Sequence, residues 1–195
     1  MHDQHEPALN ALRRDLAVRG QWNIGFFYAG TLYWLAVLAT GIALPLAEAK
    51  VYWLVGTFLI VPLAYAISKL LGIDPFFKDN PLANLSAYTH VSIIYFLLPI
   101  VAVAFLYLPG ALLLVMAIAY CASFFVFTWA FGSGLFLVHA VLRIVGVTLI
   151  WFALPDARTL AIPLFVAAMY LGTALIIPSR RQAWLAAHPA AGAIG

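Results

Sequence analysis

Six long apolar stretches dominate this 195-residue chain and restrict what it can fold into. A helix that crosses the hydrocarbon core of a bilayer needs about 20 mainly apolar residues, and each stretch has about that length. Apolar residues make up 66% of the chain and charged residues 9%, whereas soluble domains carry about 45–50% and about 25%. The composition therefore excludes a soluble globular domain and a disordered chain. It predicts an all-α, polytopic integral membrane protein.

We predict a bundle of six transmembrane helices within residues 22–181. The predicted spans are 22–46, 51–71, 85–108, 111–131, 135–154 and 159–177. Prolines, glycines and charged residues separate them, because these residue types interrupt apolar helices or prefer water. Asn80 before Pro81 is typical of a helix start, with asparagine as the N-cap. The turn Gly132-Ser133-Gly134 separates spans four and five without any charge.

Two short segments flank the predicted bundle. Residues 1–21 contain a short amphipathic helix, over about residues 7–19, with leucines on one face and arginines among the polar positions. We expect this helix to lie on the anionic surface of the membrane, and binding to a partner protein is the alternative. Residues 182–195 are mostly alanine, glycine and proline, and we expect them to form a flexible tail.

The loops predict the orientation, because Lys and Arg are enriched in cytoplasmic loops. Six spans place both termini on one side of the membrane. Seven basic residues fall on that side and two on the other: Arg13, Arg14, Arg19, Lys69, Lys78, Arg180 and Arg181 against Lys50 and Arg158. We therefore expect cytoplasmic termini in a plasma membrane, the inner membrane of a bacterium. Trp22 is expected at the cytoplasmic interface, where an indole ring is stable.

His139 and Arg143 are the strongest candidates for a functional site. They lie one turn apart in the fifth span, so both point to the same side of the helix. An arginine near the middle of a span costs about 2.5–3.5 kcal/mol on insertion scales, so a compensating interaction is required. None of the six spans contains Asp or Glu. The spans themselves therefore offer Arg143 no carboxylate partner.

Three arrangements would compensate the charge of Arg143. Backbone carbonyls and hydroxyls within the bundle can accept its hydrogen bonds, which would be a purely structural role. The loop 72–81 can fold back and bring Asp74 or Asp79 to it, as an ion pair or as part of a lid. Alternatively, a polar cavity open to the cytoplasm receives an anionic ligand at Arg143.

A second polar stripe follows the third span. Four polar side chains recur there at helical spacing and share one face: Asn84, Tyr88, Ser92 and Tyr95. Hydrogen bonding between helices is the ordinary role of such side chains. Two polar faces in one small bundle are expected to meet, however. We therefore predict that this stripe completes the wall of a ligand cavity around Arg143 and His139.

The sequence does not indicate a site for a metal, a cofactor or a nucleic acid. The chain begins with four residues of metal-binding type, His2, Asp3, His5 and Glu6. No second cluster closes a coordination shell around them, so no metal is predicted. Phosphate-binding loops and the motifs of zinc proteases and serine hydrolases do not occur, and no cofactor is predicted. The net charge of +3 is too small and too scattered for binding to nucleic acid.

The sequence leaves three functions open. The preferred one is a small membrane protein that binds or transports an anionic small molecule or lipid around Arg143 and His139. The second is a structural or regulatory membrane subunit without a ligand, in which Arg143 meets an acid of a membrane protein partner, with a homo-oligomer also open. The third is a membrane-embedded lipid-modifying enzyme with His139 as general acid or base. The lack of a carboxylate to orient His139 counts against the enzyme.

Overall fold

The structure of the protein is a computed structural model that describes residues 5–74 and 77–189. The described residues form helices and no strand, so the predicted all-α fold is confirmed. The helices in chain order are α1 (His5–Val18), α2 (Ile24–Ala43), α3 (Leu46–Leu70), α4 (Pro81–Tyr107), α5 (Leu112–Ala119), α6 (Ala122–Phe131), α7 (Leu135–Ala153) and α8 (Arg158–Ala187).

Six helical segments in the described part of the chain are long and apolar enough to cross a membrane. They are Gln21–Ala43, Leu46–Leu70, Pro81–Tyr107, Pro109–Phe131, Leu135–Ala153 and Pro155–Ala187. The fourth segment contains both α5 and α6. The protein is therefore a multi-pass helical membrane protein, as its composition predicts.

Helix ends that are set by short sequence motifs lie where the sequence predicts them. Asn80 caps α4, and Pro81 follows it in the first turn. The side-chain oxygen of Asn80 accepts hydrogen bonds from the backbone N–H groups of Leu82 (2.9 Å) and Ala83 (3.3 Å). Gly132 ends α6 with a φ of 62°, a left-handed conformation that glycine adopts without steric cost.

Two other helix ends differ from the prediction. α3 begins at Leu46 rather than at residue 51, because Pro45 serves as its N-cap residue and Glu48 lies in its first turn, where an acid is favourable. The predicted span 111–131 is interrupted at Cys121, whose backbone N–H bonds to the carbonyl of Ile118 (3.0 Å) in the tighter 3₁₀ pattern. No proline or glycine marks this interruption, so the residue pattern does not predict it.

The last helix is longer than predicted. We expected a flexible tail from residue 182, whereas α8 continues to Ala187. Arg14 of α1 donates hydrogen bonds to the backbone carbonyls of Leu185 (3.2 Å) and His188. These carbonyls at a helix end would otherwise lack a donor. A contact with a distant part of the chain therefore stabilises the end of α8.

α1 packs on the bundle with its leucine face. Leu16 and Ala17 are fully buried, and Leu12 packs against the same core. The side-chain amide of Asn80 donates to the carbonyl of Leu12 (2.9 Å), so the loop before α4 also holds α1 in place. We call this end of the bundle, formed by α1, residues 71–74 and 77–80 and the last turns of α8, the α1 end.

α2 is the central helix and packs most extensively on α8 and α3. α7 packs on α8 and α6, and α4 packs on α5 and α6, whereas α3 and α4 make few contacts with each other. Gly146 allows the close approach of α7 and α8, because a Cβ at this position would lie 2.3 Å from the ring of Phe165.

Parts of three predicted features lie outside the described residues. Residues 1–4 include His2 and Asp3 of the N-terminal cluster, and residues 190–195 are the end of the predicted tail. Residues 75–76, in the middle of the predicted lid loop, are not described either. The lid is therefore considered below only through Asp74 and Asp79.

Candidate functional site

Arg143 lies on α7 in the middle of the bundle, and its exposed fraction is 0%. Its guanidinium carbon lies 4.9 Å from the ring centre of Tyr170 on α8 and 5.6 Å from that of Trp34 on α2. A desolvated cation–π contact of this kind stabilises the cation by about 2 kcal/mol. The two rings therefore offset part of the several kcal/mol that burial of a charge costs.

Among the described residues, the guanidinium of Arg143 finds no acceptor in strict hydrogen-bond geometry. Its Nε, Nη1 and Nη2 atoms are all buried, and no described residue offers any of them an acceptor in hydrogen-bond geometry. The Tyr170 hydroxyl lies near the guanidinium and interacts with it favourably, but it does not meet strict hydrogen-bond geometry, and one oxygen cannot satisfy five N–H donors. Buried donors without acceptors are rare and costly in native structures. Arg143 is thus a buried cation with unused donors.

His139 is the second buried polar residue of this region. Its Nδ1 lies 2.7 Å from Oγ1 of Thr173, and the hydroxyl of Thr173 donates to the backbone carbonyl of Met169 (2.9 Å). A hydroxyl has a single hydrogen, so Nδ1 of His139 is the donor to Thr173. Nε2 of the neutral ring then carries a lone pair, and this atom is buried without a partner among the described residues.

Tyr170 connects the two polar residues. Its ring centre lies 5.2 Å from that of His139, and Arg143 lies over the same ring. Tyr170 reaches this place because Gly30 of α2 has no side chain: a Cβ there would come within 2.6 Å of the tyrosine ring. Gly30 is therefore a site residue that the sequence analysis missed. The signal was a glycine in mid-span, which often marks close helix packing.

A small cavity adjoins this site, and the rings of Trp34 and Tyr170 form part of its wall. Its free space of about 20 Å³ is enough for one or two water molecules. Two polar atoms of its lining residues are buried without a partner among the described residues, Oγ of Ser123 and Nδ1 of His90. The remaining wall is mostly aromatic and aliphatic. Arg143 and His139 lie behind the rings and do not line the cavity.

The polar stripe of α4 does not reach Arg143. Tyr88 is 72% exposed and Tyr95 is 63% exposed on the outer surface of the bundle. The side-chain amide of Asn84 donates to the backbone carbonyl of Lys78 (3.1 Å) at the start of α4, and Ser92 is half-buried. The expectation that the stripe completes a cavity wall around Arg143 is therefore not met.

The predicted acidic partners of Arg143 lie at the α1 end. Asp79 forms a two-pronged ion pair with Arg19, with N–O distances of 2.7 and 3.1 Å. The hydrogen bonds from Arg19 hold the pKa of Asp79 below its ordinary value. Asp74 is close enough to attract Arg19 electrostatically. Neither carboxylate accepts a hydrogen bond from Arg143, so the predicted ion pair is wrong.

Aromatic rings close the α1 end of the bundle. Trp22, which we expected at the membrane interface, is buried in a turn with left-handed φ angles of 44°, 53° and 55° over Gln21–Asn23. Its ring lies 5.9–6.4 Å from three others, and we call these four rings the aromatic plug: Trp22, Phe131, Phe136 and Trp184. Phe27 links the plug to His139. Side chains therefore fill the α1 end, where the sequence analysis expected a cavity to open.

One protein family matches this chain. The sequence model of a family described as a family of unknown function (DUF7010) matches residues 9–180. The match covers most of the chain, and it includes His139, Arg143 and Tyr170. No curated protein and no solved structure matches.

Proposed function

The chain belongs to the DUF7010 family, and we propose that this member binds a small anionic molecule at Arg143, as a membrane-embedded binding protein or carrier. One observation supports the proposal: Arg143 is completely buried, and its three guanidinium nitrogens lack acceptors among the described residues. A guanidinium presents five N–H donors in a planar fork that suits carboxylates and phosphates. A bound anion would satisfy these donors and neutralise the charge.

The neighbours of Arg143 have complementary roles in this proposal. The rings of Trp34 and Tyr170 exclude water from the guanidinium, and attraction between opposite charges is stronger in such a medium of low polarity. Nε2 of His139 is a buried acceptor that no described residue uses, so it can take a hydrogen bond from a hydroxyl of the ligand or from a water beside it.

The two other functions are less well supported. In a structural subunit, a carboxylate on a helix of the partner would have to reach Arg143, and a side chain tethered to a second helix reaches a completely buried group less easily than a free anion does. In a lipid-modifying enzyme, His139 would act as acid or base, but its Nδ1 bonds to the hydroxyl of Thr173. A hydroxyl stabilises an imidazolium less than the carboxylate of a catalytic triad does.

We further propose that the α1 end faces the cytoplasm and that the membrane is the plasma membrane, the inner membrane of a bacterium. The support is the distribution of basic residues along the chain. Most lie in segments at the α1 end, and two, Lys50 and Arg158, lie at the opposite end. Such an excess is typical of the cytoplasmic side.

Native mass spectrometry of the purified protein, released from mild detergent, tests the proposed function. We expect an anionic species on the wild-type protein and none on the Arg143→Gln variant, which keeps a polar side chain but loses the charge. Arg180→Gln is the matched control, because Arg180 is exposed near the end of α8, and it should retain the species. The anion at 100 times its Kd should also stabilise the wild-type protein alone, by about 2.7 kcal/mol.

Two results would contradict the proposal. One is equal binding by wild type and Arg143→Gln. The other is bare wild-type protein that no added carboxylate or phosphate stabilises. A variant that loses the anion must elute as a monodisperse species with an unchanged far-ultraviolet circular dichroism spectrum, so that unfolding is excluded as the cause.

A further inference from the structure

We propose that the ligand of Arg143 enters sideways from the bilayer, between α3 and α4, and is an amphiphilic carboxylic acid, that is, a carboxylate with an apolar tail. The inference rests on the proposed function of Arg143. It adds to that function the route of entry and the chemical class of the ligand.

A groove with a volume of about 140 Å³ lies between α3 and α4 on the outer surface of the bundle. It is lined by Thr57, Phe58, Val61, Val91 and Tyr95. Phe58 is 46% exposed and Tyr95 is 63% exposed, in the middle parts of two helices that are long and apolar enough to cross a membrane. The groove therefore opens toward lipid chains, and its lining is apolar except for two hydroxyl groups.

The groove and the inner cavity meet at the boundary between α3 and α4. Ile60 of α3 lines the cavity, and the next residue, Val61, lines the groove. A hydrogen bond joins the two linings, because the hydroxyl of Tyr120 in the cavity wall donates to Oγ1 of Thr57 in the groove (3.2 Å). Tyr170 lies in the cavity wall and against Arg143. The two spaces thus lie side by side, separated by the side chains of Thr57 and Tyr120, and the route that we propose requires these side chains to move apart.

Both ends of the bundle are closed by packed side chains. The aromatic plug fills the α1 end. Toward the opposite end, Trp34 and Trp53 are each 1% exposed, and Nε1 of Trp53 donates to Oγ1 of Thr40 (2.9 Å). α3 and α4, in contrast, make few contacts with each other. Regions with few buried contacts open at the lowest free energy, so the α3–α4 boundary is the easiest entry.

The charge of the site restricts the ligand. Among the described residues, Arg143 is the one Arg, Lys, Asp or Glu that is buried. A monoanion neutralises it, whereas a dianion would leave a negative charge without a partner in the interior, which is costly. The two oxygens of a carboxylate match the guanidinium fork. An apolar tail matches the lining of the groove.

Stopped-flow binding of a fluorescent long-chain fatty acid to protein in phosphatidylcholine vesicles tests the route. Val61→Trp fills the groove, and we expect it to slow association by about tenfold or more, within the range that variants of one site cover. Val55→Trp is the matched control, because Val55 lies on the same helix, is 54% exposed and does not line the groove. It should associate at the wild-type rate.

A second variant keeps the test decisive if tryptophan at position 61 perturbs the fold. Val61→Cys with Val91→Cys places thiols on the two walls of the groove, where a short, cleavable bifunctional reagent can join α3 to α4. The native Cys121 is fully buried and does not compete for the reagent. We expect slow association after joining and the original rate after cleavage.

Each contrary result would overturn a different part of the proposal. Fatty acid binding that needs Arg143 but is not slowed by either groove variant overturns the lateral route and leaves the proposed function intact. Binding of acetate that needs Arg143 and is as tight as that of the fatty acid overturns the amphiphilic class. Equal binding by wild type and Arg143→Gln overturns the proposed function and this inference with it.

Discussion

The arginines of the α1 end and the arginine in the middle of the bundle have opposite surroundings. At the α1 end, the arginines donate to backbone carbonyls near helix ends: Arg13 to Trp129, Arg14 to Leu185 and His188, and Arg181 to Ala17. Carbonyls in the last turn of a helix have no intrahelical donor and are free to accept. The carbonyls around Arg143 lie within helices, where the next turn already uses them.

The difference shows that position along the helices decides whether an arginine has a structural role here. The α1 end supplies acceptors, because helices such as α8 end there and their last carbonyls are not used by a further helical turn. Around Arg143, the middle of the bundle supplies aromatic faces but, among the described residues, no acceptor in strict hydrogen-bond geometry. An arginine retained in such a place needs an acceptor from outside the fold, and this is the physical basis of the anion site that we propose.

We expect the largest loss of stability from a substitution in the aromatic plug, where the α1 end is tightly packed. Phe136 of the aromatic plug is 0% exposed, and its ring centre lies 5.0 Å from that of Phe131 and 5.9 Å from that of Trp22. Phe136→Ala should lower the free energy of unfolding by about 3–5 kcal/mol, since it leaves a cavity among packed rings. Denaturant unfolding in lipid–detergent micelles measures this change.

Phe152→Ala is the control for that change. Phe152 also lies on α7 but is 76% exposed, so its removal leaves no internal cavity and should cost far less. Similar losses for both variants would mean that the aromatic plug is not a packed unit. The proposal that the α1 end is closed to water would then fail.

The next prediction compares the loss of stability on replacing an arginine of the α1 end with that on replacing the buried Arg143. Arg14→Met removes the donor to two carbonyls at the end of α8 and should cost about 1.5–3 kcal/mol, the usual contribution of a hydrogen bond to a charged group. Arg143→Met removes no hydrogen bond to a described residue. Its lost cation–π contacts, about 2 kcal/mol each, are offset by the several kcal/mol of desolvation that are no longer required.

We therefore expect Arg14→Met to be less stable than wild type and Arg143→Met to be close to it when no ligand is present. Thermal unfolding of both variants in the same detergent decides the comparison. Arg180→Met, at an exposed position on α8, gives the baseline for loss of one charge. An Arg143→Met protein as unstable as Arg14→Met would show that Arg143 has structural acceptors, and the contrast would disappear.

The smallest effect concerns an exposed pair at the α1 end, Arg19 and Asp79. Hydrogen bonds from Arg19 lower the pKa of Asp79 in the folded protein. The pair therefore stabilises the protein fully above the ordinary pKa of an aspartate, and this contribution is lost as the pH falls through the lower pKa of folded Asp79. The exposed fractions of the two side chains are 38% and 69%, so water screens the attraction.

The unfolding temperatures of wild type and Asp79→Asn, measured from neutral pH into the acid range, test this effect. The wild-type protein should be slightly more stable at neutral pH. The difference should shrink as Asp79 becomes protonated, because both proteins then lack the negative charge. A difference that stays constant at acid pH would show that Asp79 acts through its shape or its loop and not through its charge.

Features with a local cause could be predicted from the sequence. Asn80 with Pro81 and the glycine turn at Gly132 end helices through their own backbone preferences, so short motifs were sufficient. The extension of α8 to Ala187 could not be predicted, because its stabilising donor, Arg14, lies on α1. The burial of Trp22 was missed for the same reason, since the rings around it come from α6, α7 and α8.

The candidate site was predicted only in part. The spacing of His139 and Arg143 places both on one side of a helix, and the structure brings both to Tyr170. Tyr88 and Tyr95 also share a face, but that face points outward. Helical periodicity shows which residues lie together, whereas the rotation of each helix about its own axis depends on packing against its neighbours.

The sequence by itself determined that the chain is a bundle of membrane-crossing helices, with one arginine in mid-span and no acid in the six predicted spans. The reason is that a bilayer requires long apolar segments whose backbone groups are paired within the helix. The apolar composition and the length of each segment show that this requirement is met. Tertiary structure alone decided that acceptors surround the arginines of the α1 end and not Arg143, and that the free space lies between α3 and α4. Those outcomes depend on which helix faces meet, and close packing fixes this through contacts between residues far apart in the chain.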